Sequence, residues 1–210
     1  MTIIKNTIIL SLGLFLIGCT GLGVNFKPEN ITLVKIGKST KQEIRNLFGK
    51  TDPTETVVLG DLASETETYF YRKAGTFRDR WNYKFVTYEY IKDTVNGYLY
   101  NNSFEQYSTD FDETKISNFI LNKTTRLEVV NMLGSNYGEV ILPSNLLVKT
   151  LSEKTIKTIP DKSKYVLVYY LYYLIESGDK FLTKSKLLVL SFNSDNLLIN
   201  KYFTENKPSN

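Results

Sequence analysis

Gly37-Lys38-Ser39-Thr40 spells the second half of a phosphate-binding loop, in which backbone N–H groups and a lysine hold the phosphates of a nucleotide. That chemistry also needs a glycine five residues ahead of the Gly-Lys pair to turn the backbone, and here the position is Thr32. A second set of chemistry-bearing residues is the acid cluster Asp110, Asp112 and Glu113, which a paired-acid hydrolase could use if two of them converged. Its sequence, Ser108 to Lys115, reads as a solvated turn. The chain has no histidine, so the commonest general base and metal ligand are missing, and neither a Ser-His nor a Cys-His pair can form. Its single cysteine allows no intrachain disulfide and no cysteine-based zinc site. Ser-Lys and paired-acid chemistry stay open, with nothing pointing to either. No metal site and no cofactor motif is expected.

The one cysteine has a specific reading. Lys5 supplies a positive charge and Ile8–Ile17 an apolar run, shorter than the ~18–20 residues that span a bilayer as a helix. The run ends in Leu16-Ile17-Gly18-Cys19, which resembles a bacterial lipobox: a small residue admits the peptidase, and the Cys19 thiol takes the diacylglycerol. Residues 1–18 are then a lipoprotein signal peptide, 19–30 a tether, and the protein is exported and held at the cell envelope by acylated (palmitate-type) Cys19. More than one acyl chain makes release rare. Thr20, rather than Asp, after the cysteine fits outer-membrane sorting in the enterobacterial pattern.

The phosphate-loop reading falls on a repeat. IGKSTKQEIRNLFG at 36–49 returns as LNKTTRLEVVNMLG at 121–134, with Asn122 in place of the essential glycine, so nucleotide binding is not what the copies share. They share a short capped helix. Thr40 with Glu43, and Thr125 with Glu128, form capping boxes. Ile44, Leu47 and Phe48, like Val129, Met132 and Leu133, fall on one helical face. Gly49 and Gly134 fit the left-handed residue that stops a helix.

Each helix precedes three strand signals: 66–73, 83–91 and 97–107, then 164–176, 184–192 and 196–203. The segment 50–65 reads as a loop or second short helix, and 135–163 as a helix or a wandering loop. The expected fold is α+β: two tandem units, 31–110 and 111–210, each a short helix or helix pair packed on an antiparallel three- to four-stranded β-meander.

A hydrophobic-x-x-Gly-x-Thr-x-x-Glu-Val-x-x-x-Leu-Gly pattern, followed by a meander and behind a lipobox, resembles the BamE (SmpA/OmlA)-like lipoproteins and the wider β-lactamase-inhibitor-protein-like fold. The inhibitor protein is itself a tandem of two such units. The resemblance covers most of residues 34–205, with its specific motifs confined to the two helix segments. It implies a non-catalytic scaffold in outer-membrane protein assembly, or an inhibitor-like module that fills another enzyme's cleft. A surface hydrolase is the remaining alternative.

Binding residues follow from strand alternation. In 83–91, Val86, Tyr88 and Tyr90 share one face, and Tyr83, Phe85 and Ile91 the other. In 164–176, Tyr170 and Tyr172 lie opposite Tyr169 and Leu171. Neither face is polar, so either the aromatic surplus is a contact surface or another segment covers it. Tyr88, Tyr90, Tyr170 and Tyr172 are the candidates, with the open face unassigned. Arg78, Arg80 and the only tryptophan, Trp81, sit in a hairpin and are residue types found at binding hot spots; a Trp81 tucked into the core is the alternative. The expected partners are a membrane, through Cys19, and a protein. The net charge of +4 forms no basic stripe, so no nucleic acid is expected.

Overall fold

The computed structural model describes residues 21–49, 51, 55–59, 62–74, 80–177 and 180–207. The strands are β1 (Leu22–Gly23), β2 (Glu55–Leu59), β3 (Leu62–Ala74), β4 (Arg80–Ile91), β5 (Thr94–Asn102), β6 (Gly138–Ile141), β7 (Tyr165–Ser177), β8 (Lys180–Phe192) and β9 (Leu198–Asn206). The α-helices are α1 (Lys41–Phe48), α2 (Arg126–Leu133), α3 (Asn145–Thr150) and α4 (Glu153–Ile156).

Two tandem α+β units are not what the chain builds. All nine strands join one antiparallel sheet in the order β1-β3-β4-β5-β6-β7-β8-β9, with β2 also on β3. The physical reason lies at the edges. Two separate meanders would leave β5 and β7 with rows of unpaired N–H and C=O groups. The short β6 closes that gap, pairing Gly97 and Tyr98 on one side and residues 165–168 on the other. Where β5 ends, β4 meets β7 directly, Arg80 opposite Ile175 and Trp81 opposite Leu174.

The repeated motif itself folds locally as its residues dictate. Thr40 and Thr125 each accept from the backbone of the glutamate three residues on, and that glutamate returns the bond to the threonine backbone. Each such cap contributes about 1 kcal/mol. Both glycine stops have positive φ, but Gly49 (ψ −151°) and Gly134 (ψ 172°) lie in an extended region that only glycine visits, not in the left-handed helical one. Gly37 and Asn122 are both left-handed, at φ 76° and 59°. Asparagine tolerates that conformation, which explains its place in the second copy. Their backbone N–H groups bond to Val95 and Leu198, and Ser39 N bonds to Lys35 O, so these donors are spent on the fold.

The front face of the sheet carries α1 over Tyr69, Val86, Tyr88 and Tyr98, and α2 over Leu167, Tyr169, Leu188 and Leu190. Burying Ile44 or Phe48 contributes about 1.5–3 kcal/mol each. Among the described residues, the back face is covered at one end only. There the 135–163 segment, neither a single helix nor a wandering loop, follows β6 with α3 and α4 over Leu99, Val140, Val166, Val168 and Val189. Within the segment 50–65, the described residues 55–59 and 62–65 are strand rather than helix or loop, forming β2 and the start of β3. The expected tether is docked from Leu22 onward: β1 pairs with β3, and Phe26 packs into the core against Phe48.

Candidate binding surface

On the back face, strand pairing places side chains in rows. Phe70 stands opposite Phe85, Arg72 opposite Tyr83, and Ala74 opposite Trp81. Opposite residues of an antiparallel pair project to the same side. At the end nearer α3 these rows pass beneath the cap, where Asn145 Nδ2 donates to Leu62 O and Ser64 Oγ, each at 3.0 Å. At the other end nothing described covers them. There Phe70, Arg72, Trp81, Tyr83, Phe85, Tyr170 and Tyr172 line an open hollow of about 750 Å³.

The hollow straddles the join between the two halves of the sheet. Tyr83 donates its phenol to Tyr172 O at 2.5 Å. Asn101 Nδ2 and Thr109 Oγ1 both donate to Tyr170 O, at 3.0 and 2.6 Å. The Tyr83 and Tyr172 rings lie 5.9 Å apart, and Tyr170 stacks on Tyr172 at 6.5 Å. Burial, helped by the neighbouring Tyr172 phenol, pushes the Tyr170 phenol up. Arg72 lies over the Trp81 ring at 5.3 Å, is exposed, and forms no ion pair among the described residues.

The sequence candidates divide. Trp81, Tyr170 and Tyr172 come together here, with Trp81 half-exposed on the sheet rather than tucked into the core. Tyr88 (0 % exposed) and Tyr90 (2 %) are on the front face beneath α1 and present nothing to a partner. Arg80 lies in β4, opposite Ile175. Arg78 and Cys19 lie outside the described residues. Phe70 and Arg72 were not among the candidates; their signal was alternation within TETYFYRK, where they fall opposite Tyr69 and Tyr71.

The acid cluster is engaged in structure. Lys186 bonds Glu113 at 2.6 Å and Asp110 at 3.1 Å. Asp112 caps a turn by accepting from Thr114, which holds its carboxyl below the usual range, as Lys186 does for Glu113. Glu139 moves the other way, pushed up by burial against the opposing Arg126 charge. It is the single acid in a front-face groove of about 480 Å³, and Arg126 is its ion-pair partner. Among the described residues no group of three potential ligands could hold a metal ion, and no helix is long and apolar enough to cross a membrane. Comparison with family models, curated proteins and solved structures gives no match to this chain.

Proposed function

We propose that the protein is a non-catalytic binding module, exported, held at a bacterial membrane by a lipid on Cys19, and working there as a scaffold of the cell envelope. The observation that carries this reading is the aromatic hollow on the back face, which no described segment covers. A monomer with enough chain to cover its sheet leaves such a patch open where something else contacts it. Trp, Tyr and Arg are the residue types that supply contact energy at low conformational cost. Outer-membrane location, and a place beside the assembly machinery for outer-membrane proteins, follow from Thr20 and from the BamE resemblance.

The test is crosslinked capture of the tagged full chain from detergent-solubilised membranes, read by mass spectrometry, with metabolic acyl labelling in parallel. Wild-type protein takes up the acyl label and Cys19→Ser does not; equal membrane association of the two would refute the anchor. Enrichment of β-barrel assembly proteins supports the scaffold reading. Enrichment of one soluble enzyme moves the reading to an inhibitor-like module.

A further inference from the structure

The position at which the chain enters the fold bears on what fills the hollow. The first described residue, Gly21, lies at the edge of β3 against the ring of Tyr71, which projects to the front face; a Cβ on Gly21 would meet that ring at 2.3 Å. Leu22 then pairs with Arg72, and Gly23 with Tyr71. Being opposite Arg72, Leu22 projects from the hollow's own face, and it is 59 % exposed. Because β1 is antiparallel to β3, its N-terminal end points toward Ala74, the partner of Trp81. Cys19 is two residues before Gly21, a reach of at most ~7 Å. A lipid on Cys19 would therefore be tethered at the end of the sheet that carries the hollow.

The side chains there suit a lipid–water boundary. Trp81, Tyr170 and Tyr172 each offer an apolar ring and a polar tip, the combination enriched where a membrane meets water. Leu22, Phe70 and Phe85 add purely apolar surface. Arg72 is exposed, and its guanidinium lies over the Trp81 ring, where a phosphate can accept from it. Proximity then decides between occupants. A surface tethered within ~7 Å of its lipid meets the bilayer at an effective concentration in the millimolar range, so even weak docking is populated.

We infer that the aromatic hollow, with Leu22 at its edge, is a membrane-docking surface that lays this end of the back face on the bilayer carrying the Cys19 lipid and turns the α1 and α2 face away from it. This rests on the anchored reading above and names what the hollow meets. Trp81 is the chain's only tryptophan, so its fluorescence reports on the hollow directly.

The experiment places the full lipidated protein on mixed phosphatidylcholine and phosphatidylglycerol vesicles with brominated acyl chains, and measures co-flotation and Trp81 quenching separately. Expected are complete co-flotation and a quenched, blue-shifted Trp81. Tyr172→Ser, with wild-type circular dichroism, co-floats but loses quenching. Arg72→Gln lowers the ratio of docked to undocked protein about fivefold on these vesicles and leaves it unchanged on neutral ones. Co-flotation with unquenched Trp81, or variants quenched like the wild type, would overturn the docking. Trp81 shielded only after an envelope extract is added, and crosslinked there to protein, overturns it in favour of a protein occupant. Failure to co-float refutes the anchor itself and removes the basis for docking with it.

Discussion

Replacing Glu89 tests what fastens the α3–α4 cap over its end of the back face. Glu89 is fully buried, and its carboxylate accepts four hydrogen bonds. Oε1 takes the backbone N–H groups of Asn145 at 2.8 Å and Leu146 at 3.1 Å; Oε2 takes Ser144 Oγ at 2.7 Å and Asn96 Nδ2 at 3.0 Å. In Glu89→Ala, Asn96 keeps Ile141 O at 2.9 Å and Pro143 O at 3.2 Å. Ser144 still accepts from Leu147 N, while its hydroxyl proton, which is free to rotate, loses its acceptor. The two N–H groups at the start of α3 have no such substitute. A buried donor left unpaired costs about 1–3 kcal/mol, so the loss is about 3 kcal/mol, against total stabilities of about 5–15 kcal/mol. Glu89→Gln keeps one acceptor oxygen but not the charge and costs about half as much. Urea unfolding measures both, and amide exchange at Leu151, whose N–H bonds to Leu147 O, locates the loosening. A loss below 1 kcal/mol with unchanged exchange at Leu151 would refute the account of Glu89 as the fastening.

Gly49→Ala and Gly134→Ala each cost about 1–3 kcal/mol in thermal or urea unfolding, although a Cβ at either position meets nothing within 4 Å, because the cost is in the backbone. Asn122→Ala costs about 1 kcal/mol, while Asn122→Gly is close to neutral. Burial pushes the phenols of Tyr69, Tyr88, Tyr90, Tyr98 and Tyr169 up, and that of Tyr100 to about 12. An acid whose folded pKa is raised contributes stability that is complete below its unfolded value near ~10 and is lost as pH rises toward the folded one. Phenolate absorbance of these six therefore rises together with loss of circular dichroism; ionisation near pH ~10 in a folded protein would contradict their burial. The Thr125 backbone N–H, then its hydroxyl, holds the Glu128 carboxyl below its usual range, so the capping contribution is present above ~4.3 and lost on acidification. Thr125→Ala raises the Glu128 carboxyl pKa in carbon NMR and costs about 1 kcal/mol.

The features legible in the sequence are those decided by residues close together in it. A capping box needs two side chains three positions apart, and both pairs form. Alternation correctly separated Tyr170 and Tyr172 from Tyr169 and Leu171, and Tyr88 and Tyr90 from Tyr83 and Phe85. It could not say which side of each strand the helices would take, and the front face received Tyr88 and Tyr90. The joining of the sheet was not legible. β6 is four residues, Gly138-Glu139-Val140-Ile141, too short to carry a period, and its partners lie about forty residues away in one direction and thirty in the other. The β4–β7 pairing spans still more chain and depends on where β5 stops. The cap over the back face was hidden for a related reason. Its anchor is Glu89, a charged residue within an aromatic strand, and nothing near it in sequence indicates that its partners begin at Ser144.

The hollow is a product of that join and not of either repeated segment. Phe70, Arg72, Trp81, Tyr83 and Phe85 come from the β3–β4 hairpin, Tyr170 and Tyr172 from β7. They adjoin because β5 ends at Asn102, where the chain turns away with Asn102 Oδ1 accepting from Phe104 N and Ser103 N bonding back to Tyr83 O. Had β5 continued, it would have filled the gap through which Tyr83 reaches Tyr172 O. The register across the gap is equally decisive. A slip of one residue in β7 would send Tyr170 and Tyr172 to the front and bring Tyr169 and Leu171 to the back. Asn101 and Thr109 both donate to Tyr170 O, so two side chains from the first half of the chain set which face those tyrosines take. The same join carries β4, and β3 with it, alongside β7, so that the edge where Leu22 enters and the row ending in Tyr172 belong to one surface. A chain whose two meanders stayed apart would keep both capped helices and lose the surface that brings Trp81 and Arg72 beside Tyr170 and Tyr172.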